Sequence, residues 1–286
     1  MDIFTPNKKL WTPNQRIIRS LAPHRAMMGA AGGVSGLAMT VPHLKAVDLN
    51  GTDEELKNTT NQTLGFANAF SIGAWGEINP AVGGSGRTLI DIRGSSNNNR
   101  IIFDGDDLNS PPGKMRLNLW DSAGTGFKAY SKTGLFSHST KYYVLITWDG
   151  TSLKIYINGS EDTGFTKTTD SSGTMTDSTR SVYIGADYTS AGQWYGERSA
   201  TEIWSVTLNS TNVTAIYNGA GGSGTGYKDD LRIDQGNYNQ SANLVHQWKH
   251  GNDSTDANIG YDFVNSGGVN VSDNAVNVTS ADVVTF

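Results

Sequence analysis

The chain has 286 residues, a formal charge of −5, no cysteine, 34 glycines and 17% charged residues. That length buries a sizeable core, as one large β domain with extensions or as two small domains. Abundant Gly, Asn, Ser and Thr suit short strands joined by polar turns and argue against a helical bundle. Without cysteine, disulfide staples and thiolate metal sites are excluded, so the fold must rest on its core.

Residues 1–46 read as an extended arm. Pro6, Pro13, Pro23 and Pro42 punctuate it, and proline disfavours helix in the residue before it. Only Gln15–Leu21 has room for a short helix. Six basic residues against one acid give the arm +5 and leave −10 on the remainder. A basic head on an acidic body points to an acidic surface as the arm's partner. Lys8, Lys9, Trp11, Arg16, Arg19 and Arg25 are its candidate contacts. The segment has no dense Lys/Arg run and no aromatic beyond Trp11 and Phe4, so nucleic-acid binding is not expected. Met27–Val41 is broken by glycines, too short to span a bilayer and too far from a charged start for a signal peptide, so neither membrane insertion nor the general secretory route is expected.

From Val47 the pattern turns to strands. Phe70, Ile72 and Ala74 alternate with Ser71, Gly73 and Trp75, and Met115, Leu117 and Leu119 with Arg116, Asn118 and Trp120. Period-2 alternation sets one face on a core and the other toward solvent. Tyr142–Trp148 is nearly continuously apolar, as in a central strand. Asp149-Gly150 and Asn158-Gly159 bracket Leu153, Ile155 and Ile157 with hairpin-turn chemistry. Ile203–Leu208 is a late strand. Ser210 can then cap a helix with Val213, Ile216 and Tyr217 on one face, Asn212 and Thr214 on the other, and Asn218-Gly219 at its end. Gly219–Gly226 reads as a linker. Beyond it, Leu244, His246 and Trp248, then Val269, Val271, Val276 and Val278, suggest strands that pair with the body or with a neighbouring subunit.

These segments together resemble laminin-G-like domains of the concanavalin A-like lectin and glucanase type. The resemblance is carried by His43–Leu56, by Phe70-Ser-Ile-Gly-Ala-Trp75, by Ile146-Thr-Trp-Asp-Gly-Thr-Ser-Leu-Lys-Ile-Tyr-Ile-Asn-Gly159, and by Glu202–Leu208 with Val213–Asn218. It implies an all-β, two-sheet antiparallel jelly-roll sandwich over residues 47–222, behind the arm of 1–46 and before a linker and strand-rich extension of 223–286. The fold carries lectins, enzymes and structural modules alike, so it does not decide function. The order of arm, sandwich, glycine linker and Ser241-Ala-Asn-Leu-Val-His-Gln-Trp248 also resembles structural proteins of tailed bacteriophages.

Glycoside hydrolysis needs two carboxylates flanking the scissile bond. The related enzymes carry them in a Glu-X-Asp-X-X-Glu strand, which is absent here. Leu89–Arg93 has one carboxylate, so no enzymatic activity is expected. Calcium wants clustered oxygens, and Asp104, Asp106 and Asp107 form a candidate loop cluster, as do Asn50 and Asp53; no other cofactor is expected. His246 and His250 have helical zinc spacing in a strand-like context and read as surface or interface histidines. Trp120, Tyr188, Trp194 and Tyr195 are the candidate sugar-stacking aromatics. The resulting expectation is a non-catalytic virion structural protein, a capsid decoration or cement protein. It would assemble in the host cytoplasm as a homo-oligomer on the major capsid protein or another virion protein, anchored by its arm. The alternative is a glycan-binding adhesin or tail-associated receptor-binding module that contacts a cell-surface glycan.

Overall fold

The computed structural model describes residues 45–51, 55–64, 69–77, 87–94, 97–106, 113–176, 179–189, 192–219 and 231–250, with the strand backbones of 262–265, 274–276 and 283–285. The chain divides into Met1–Leu37 and Ala38–Phe286, and every described residue lies in the second unit. The arm contacts Lys8, Lys9, Trp11, Arg16, Arg19 and Arg25 and the helix expected over 15–21 therefore lie outside the described residues.

The strands form two antiparallel sheets. The first runs β10 (Ser160–Glu161), β9 (Leu153–Ile157), β8 (Lys141–Trp148), β3 (Phe70–Glu77), β13 (Tyr195–Trp204), β1 (Lys45–Asn50), β17 (Val283–Thr285). The second runs β11 (Thr166–Asp170), β7 (Gly126–Phe136), β6 (Gly113–Trp120), β5 (Ile101–Asp106), β4 (Arg87–Arg93), β12 (Thr179–Ile184), β2 (Glu55–Thr63), β16 (Asn274–Val276). An α-helix, α1 (Ser210–Asn218), follows β13. This is the expected two-sheet jelly-roll sandwich.

Alternation does the sorting within strands. Along β6, Met115, Leu117 and Leu119 are fully buried in the core between the sheets, while Arg116, Asn118 and Trp120 are half-buried on the opposite face. The continuous apolar run of β8 has a different cause. Val144, Ile146 and Trp148 enter the inter-sheet core, whereas Tyr143 and Leu145 enter a second apolar cluster on the outside of the first sheet. A strand covered on both faces has no polar side to show.

That second cluster is built by the chain itself. Val213 and Ile216 of α1, with Leu231, Tyr238 and Leu244, cover Trp75, Tyr143, Tyr156 and Trp204. Trp75 stacks on Tyr143 with ring centroids 5.0 Å apart and on Tyr217 at 5.6 Å. Trp204 Nε1 donates to the Tyr238 hydroxyl at 3.0 Å, and that hydroxyl donates to the Leu231 carbonyl at 2.8 Å. Gly73 makes room for this layer, because a Cβ there would sit 2.2 Å from the Tyr143 hydroxyl oxygen.

The extension pairs within its own chain. β14 (Leu244–Lys249) lies along β13 from Trp204 to Ala200, on the edge whose other half takes β1, and β15 (Asp262–Asn265) pairs with β14. Trp248 of β14 enters the inter-sheet core. His246 and His250, expected at a surface or interface, are instead buried. They flank Trp248 on the inward side of β14, where alternation puts them. His246 stacks on Trp248 at 4.8 Å, and His250 Nε2 lies 3.1 Å from the Thr201 hydroxyl.

Two local expectations need correction at α1. Its cap is Asn209, whose Oδ1 accepts from the Asn212 amide at 2.9 Å, and Ser210 is the first helical residue. Asn212 is buried, because its Oδ1 accepts the Asn239 amide at 3.1 Å and so fastens the helix to the extension. The turns follow the sequence. Asn158 (φ 49°) and Gly159 (φ 80°) close a two-residue hairpin, and positive φ at both positions is what a type I′ turn demands.

Candidate functional site

The first sheet spends its outer face on α1 and the extension. On the outer face of the second sheet, β4, β5 and β6 run side by side. Asp91 stands opposite Ile102, and Ile102 opposite Asn118. One rung along, the Trp120 amide donates to the Arg100 carbonyl at 2.9 Å, which brings Trp120 beside Arg100 at the head of β5. Arg93 ends β4 opposite Ser181 of β12.

The side chains on this rung interleave guanidinium groups with aromatic rings. The Arg100 guanidinium carbon lies 5.1 Å from the Trp120 ring centroid and 5.3 Å from that of Tyr188. Arg93 stacks on Tyr188 at 3.4 Å. A cation over a ring face within about 6 Å is attracted by the ring quadrupole. Tyr188 comes from the connection between β12 and β13 and is 44% exposed, one of two large apolar side chains so exposed among the described residues. Beneath them, Asp91 is fully buried and takes Arg100 Nε and Nη2 as a bidentate pair, both at 2.9 Å. Asp91 Oδ2 also accepts the Tyr188 backbone amide at 3.2 Å, and Arg100 Nη1 donates to Asn97 Oδ1 at 3.3 Å. The platform is therefore fixed before any ligand arrives.

The structure thus brings Trp120 and Tyr188 together and separates the other two candidate aromatics from them. Trp194 does not show a ring face to solvent. It is fully buried in the inter-sheet core, and its Nε1 donates to the Glu77 carbonyl at 3.0 Å. A loop composition rich in Gly, Ser and Gln concealed an inward-pointing residue one position before β13. Tyr195 opens β13 in the first sheet, half-buried and opposite Asn50.

The acidic candidates also change character. Asp104 is not in a loop: it lies on β5 and makes a bidentate pair with Arg116, at 3.0 and 2.9 Å. Asp106 ends the same strand opposite Lys114, its side chain outside the described residues, and Asp107 lies outside them altogether. Among the described residues, no group of three or more His, Cys, Asp or Glu could hold a metal ion. No described helix is long and apolar enough to cross a membrane.

Sequence reasoning missed Asp91, Arg93 and Arg100. Alternation in Leu89-Ile-Asp-Ile-Arg93 does put Asp91 and Arg93 on the polar face. Nothing local, however, reveals that Trp120 lands beside Arg100 or that Tyr188 reaches Arg93 and Arg100. Hydrogen bonds from Lys128 and Lys167 hold the Asp170 carboxyl well below the usual carboxylate range; other strong perturbations lie in the interior. Burial, with Glu202 nearby, pushes the Tyr143 hydroxyl well up, and burial pulls Arg198 down to about 9 and His246 down to about 4.

A match to the family model described as concanavalin A-like lectin/glucanases superfamily spans residues 50–214, more than half of the chain, and the protein belongs to that superfamily. A search of curated proteins finds no match. Among solved structures, a putative carbohydrate binding protein from Bacteroides ovatus aligns with TM-score 0.53 at 14% identity, over 85% of this chain and 60% of that one. The heptameric SAP-like pentraxin of Limulus polyphemus aligns with TM-score 0.48 at 17% identity, over 66% and 90%. Tailspike protein 2 of bacteriophage CBA120 gives 0.45 at 12%, over 63% and 28%. At these identities the likeness is one of fold.

Proposed function

We propose that the protein is a non-catalytic recognition module that contacts glycans through the outer face of its second sheet. One observation carries this reading: the preorganised platform of Trp120, Arg100, Tyr188 and Arg93 on that face. Aromatic faces stack on the apolar side of sugar rings, and guanidinium forks donate to hydroxyl or carboxylate oxygens. The two acids identified on that face support the non-catalytic part, since Asp91 and Asp104 are each committed to a bidentate arginine. The test is a polysaccharide array followed by calorimetry on any hit. Wild type should bind, and Trp120→Ala and Tyr188→Ala should each weaken binding at least tenfold while unfolding as wild type does. A blank array, or hits indifferent to both substitutions, refutes it.

A second reading concerns where the module works. The +5 of residues 1–46 against −10 on the rest favours a virion decoration protein, its basic arm docked on a capsid or other virion protein and its sandwich outward. Co-sedimentation with phage shells should succeed for the full chain and fail without residues 1–46. Equal sedimentation of both removes the arm as anchor.

A further inference from the structure

We infer that Asp91 is the positioning residue of this platform: one buried carboxylate latches the Tyr188 connection onto the β4–β5 strand pair and so sets the spacing between Tyr188 and Trp120. The inference rests on the glycan reading of this face. The sheet alone cannot hold Tyr188, which lies between β12 and β13 and not within a strand. Thr189, next in line, spends its amide and hydroxyl on Asp187, a turn closed on itself, at 2.8 and 2.6 Å. Arg93 of β4 stacks on the Tyr188 ring at 3.4 Å, and Asp91 ties the backbone of this turn to the strands. It binds the Tyr188 amide at 3.2 Å and, with both oxygens, the guanidinium that lies between the two rings. A carboxylate suits this post because it accepts along several directions at once, whereas an amide offers one oxygen and turns donors toward the rest. Full burial keeps water from competing for those bonds.

The molecule contains its own control. Asp104 and Arg116 form a second bidentate pair on the same sheet face, with similar bond lengths but a more exposed arginine, and neither is among the ring contacts of Trp120 or Tyr188. A merely structural role for Asp91 would lower overall stability without singling out the Tyr188 amide.

The experiment compares Asp91→Asn with Asp104→Asn in the full chain by two readouts. The first is affinity for whichever array polysaccharide binds wild type. Asp91→Asn should lose at least tenfold and Asp104→Asn less than twofold. The second is hydrogen exchange of the Tyr188 amide, which should speed at least tenfold in Asp91→Asn and stay unchanged in Asp104→Asn. If Asp91→Asn fails to fold, Asp91→Ala with Arg100→Met removes the latch without leaving a buried unpaired charge, and the exchange readout stands. Equal effects of the two single variants on either readout, or wild-type exchange at Tyr188 in the double variant, overturn the inference. If wild type binds no polysaccharide while the exchange arm behaves as stated, the latch holds and the glycan reading fails alone.

Discussion

Trp248→Ala tests whether the fold ends where the family match ends, at residue 214, or extends through β14. Trp248 is 1% exposed in the inter-sheet core, opposite Thr201 and stacked on His246. A side chain of this size buries roughly 150–250 Å², which at about 25 cal/mol per Å² corresponds to about 4–6 kcal/mol of transfer free energy. Retained Ala surface lowers this and the unfilled cavity raises it, and core Trp→Ala changes cost about 3–5 kcal/mol. For a domain of this size the melting temperature should fall on the order of 10 °C. Urea unfolding followed by far-ultraviolet circular dichroism reads the loss without depending on tryptophan fluorescence. Ile233→Ala, at a 43% exposed position of the same extension, should stay within about 0.5 kcal/mol. A loss below about 1 kcal/mol for Trp248→Ala would refute the claim that the extension completes the core.

Arg198 is fully buried, its Nη2 donates to the Thr201 hydroxyl at 3.4 Å, and its Nε and Nη1 meet no acceptor among the described residues. Glu202, 1% exposed, is its electrostatic partner, so Arg198→Met alone should cost about 3 kcal/mol or more by leaving that carboxylate uncompensated, whereas Arg198→Met with Glu202→Leu should stay near wild type, and equal urea unfolding of the two variants would count against this. Burial lowers the pKa of His246 from 6.5 to about 4, so the folded state disfavours its cation. That contribution is intact above pH 6.5 and is lost as pH falls from 6.5 to 4, about 3 kcal/mol in all. Unfolding midpoints should drop over that window in wild type and less in His246→Leu, and parallel profiles would refute the assignment. Asp149 Oδ1 accepts the Thr151 and Ser152 amides at 2.8 and 2.6 Å, so Asp149→Ala should cost about 1 kcal/mol, with no measurable cost as the contrary result.

The sandwich was legible because its signals are local. Alternation in β6 and the dipeptides Asp149-Gly150 and Asn158-Gly159 each act within a few residues and stand where they were expected, whereas the face of β3 expected toward solvent, Ser71 to Trp75, is buried under α1 and the extension. What stayed hidden depends on distant partners. Trp194 reads as exposed until β13 aims it inward, and His246 reads as peripheral until β14 takes the free edge of β13. Asn212 falls on the polar side of a helical wheel, yet it is buried because a segment more than twenty residues downstream lies over it. Half of the platform was legible in the same sense: Trp120 by its phase and Tyr188 by its loop. Asp91, Arg93 and Arg100 became visible only through the β4–β5–β6 register.

The two sheet faces of this molecule follow from one allocation of apolar surface. An antiparallel sheet needs only one buried face to be stable. The first sheet nevertheless carries Trp75, Tyr143, Tyr156 and Trp204 outward, and such an exposed patch would be an aggregation site had the chain not added α1 and residues 231–244 to cover it. The second sheet carries Asp91, Arg116, Asn118 and Trp120 outward, groups that satisfy one another or meet water and so need no cover. The C-terminal extension is thus a structural layer that closes one face, and its presence there leaves the other as the surface on which a preformed aromatic and guanidinium platform meets solvent. Recognition placed on that face does not compete with folding, because its rings and charges are held by Asp91 and the strands beneath and not by the layer that seals the opposite side.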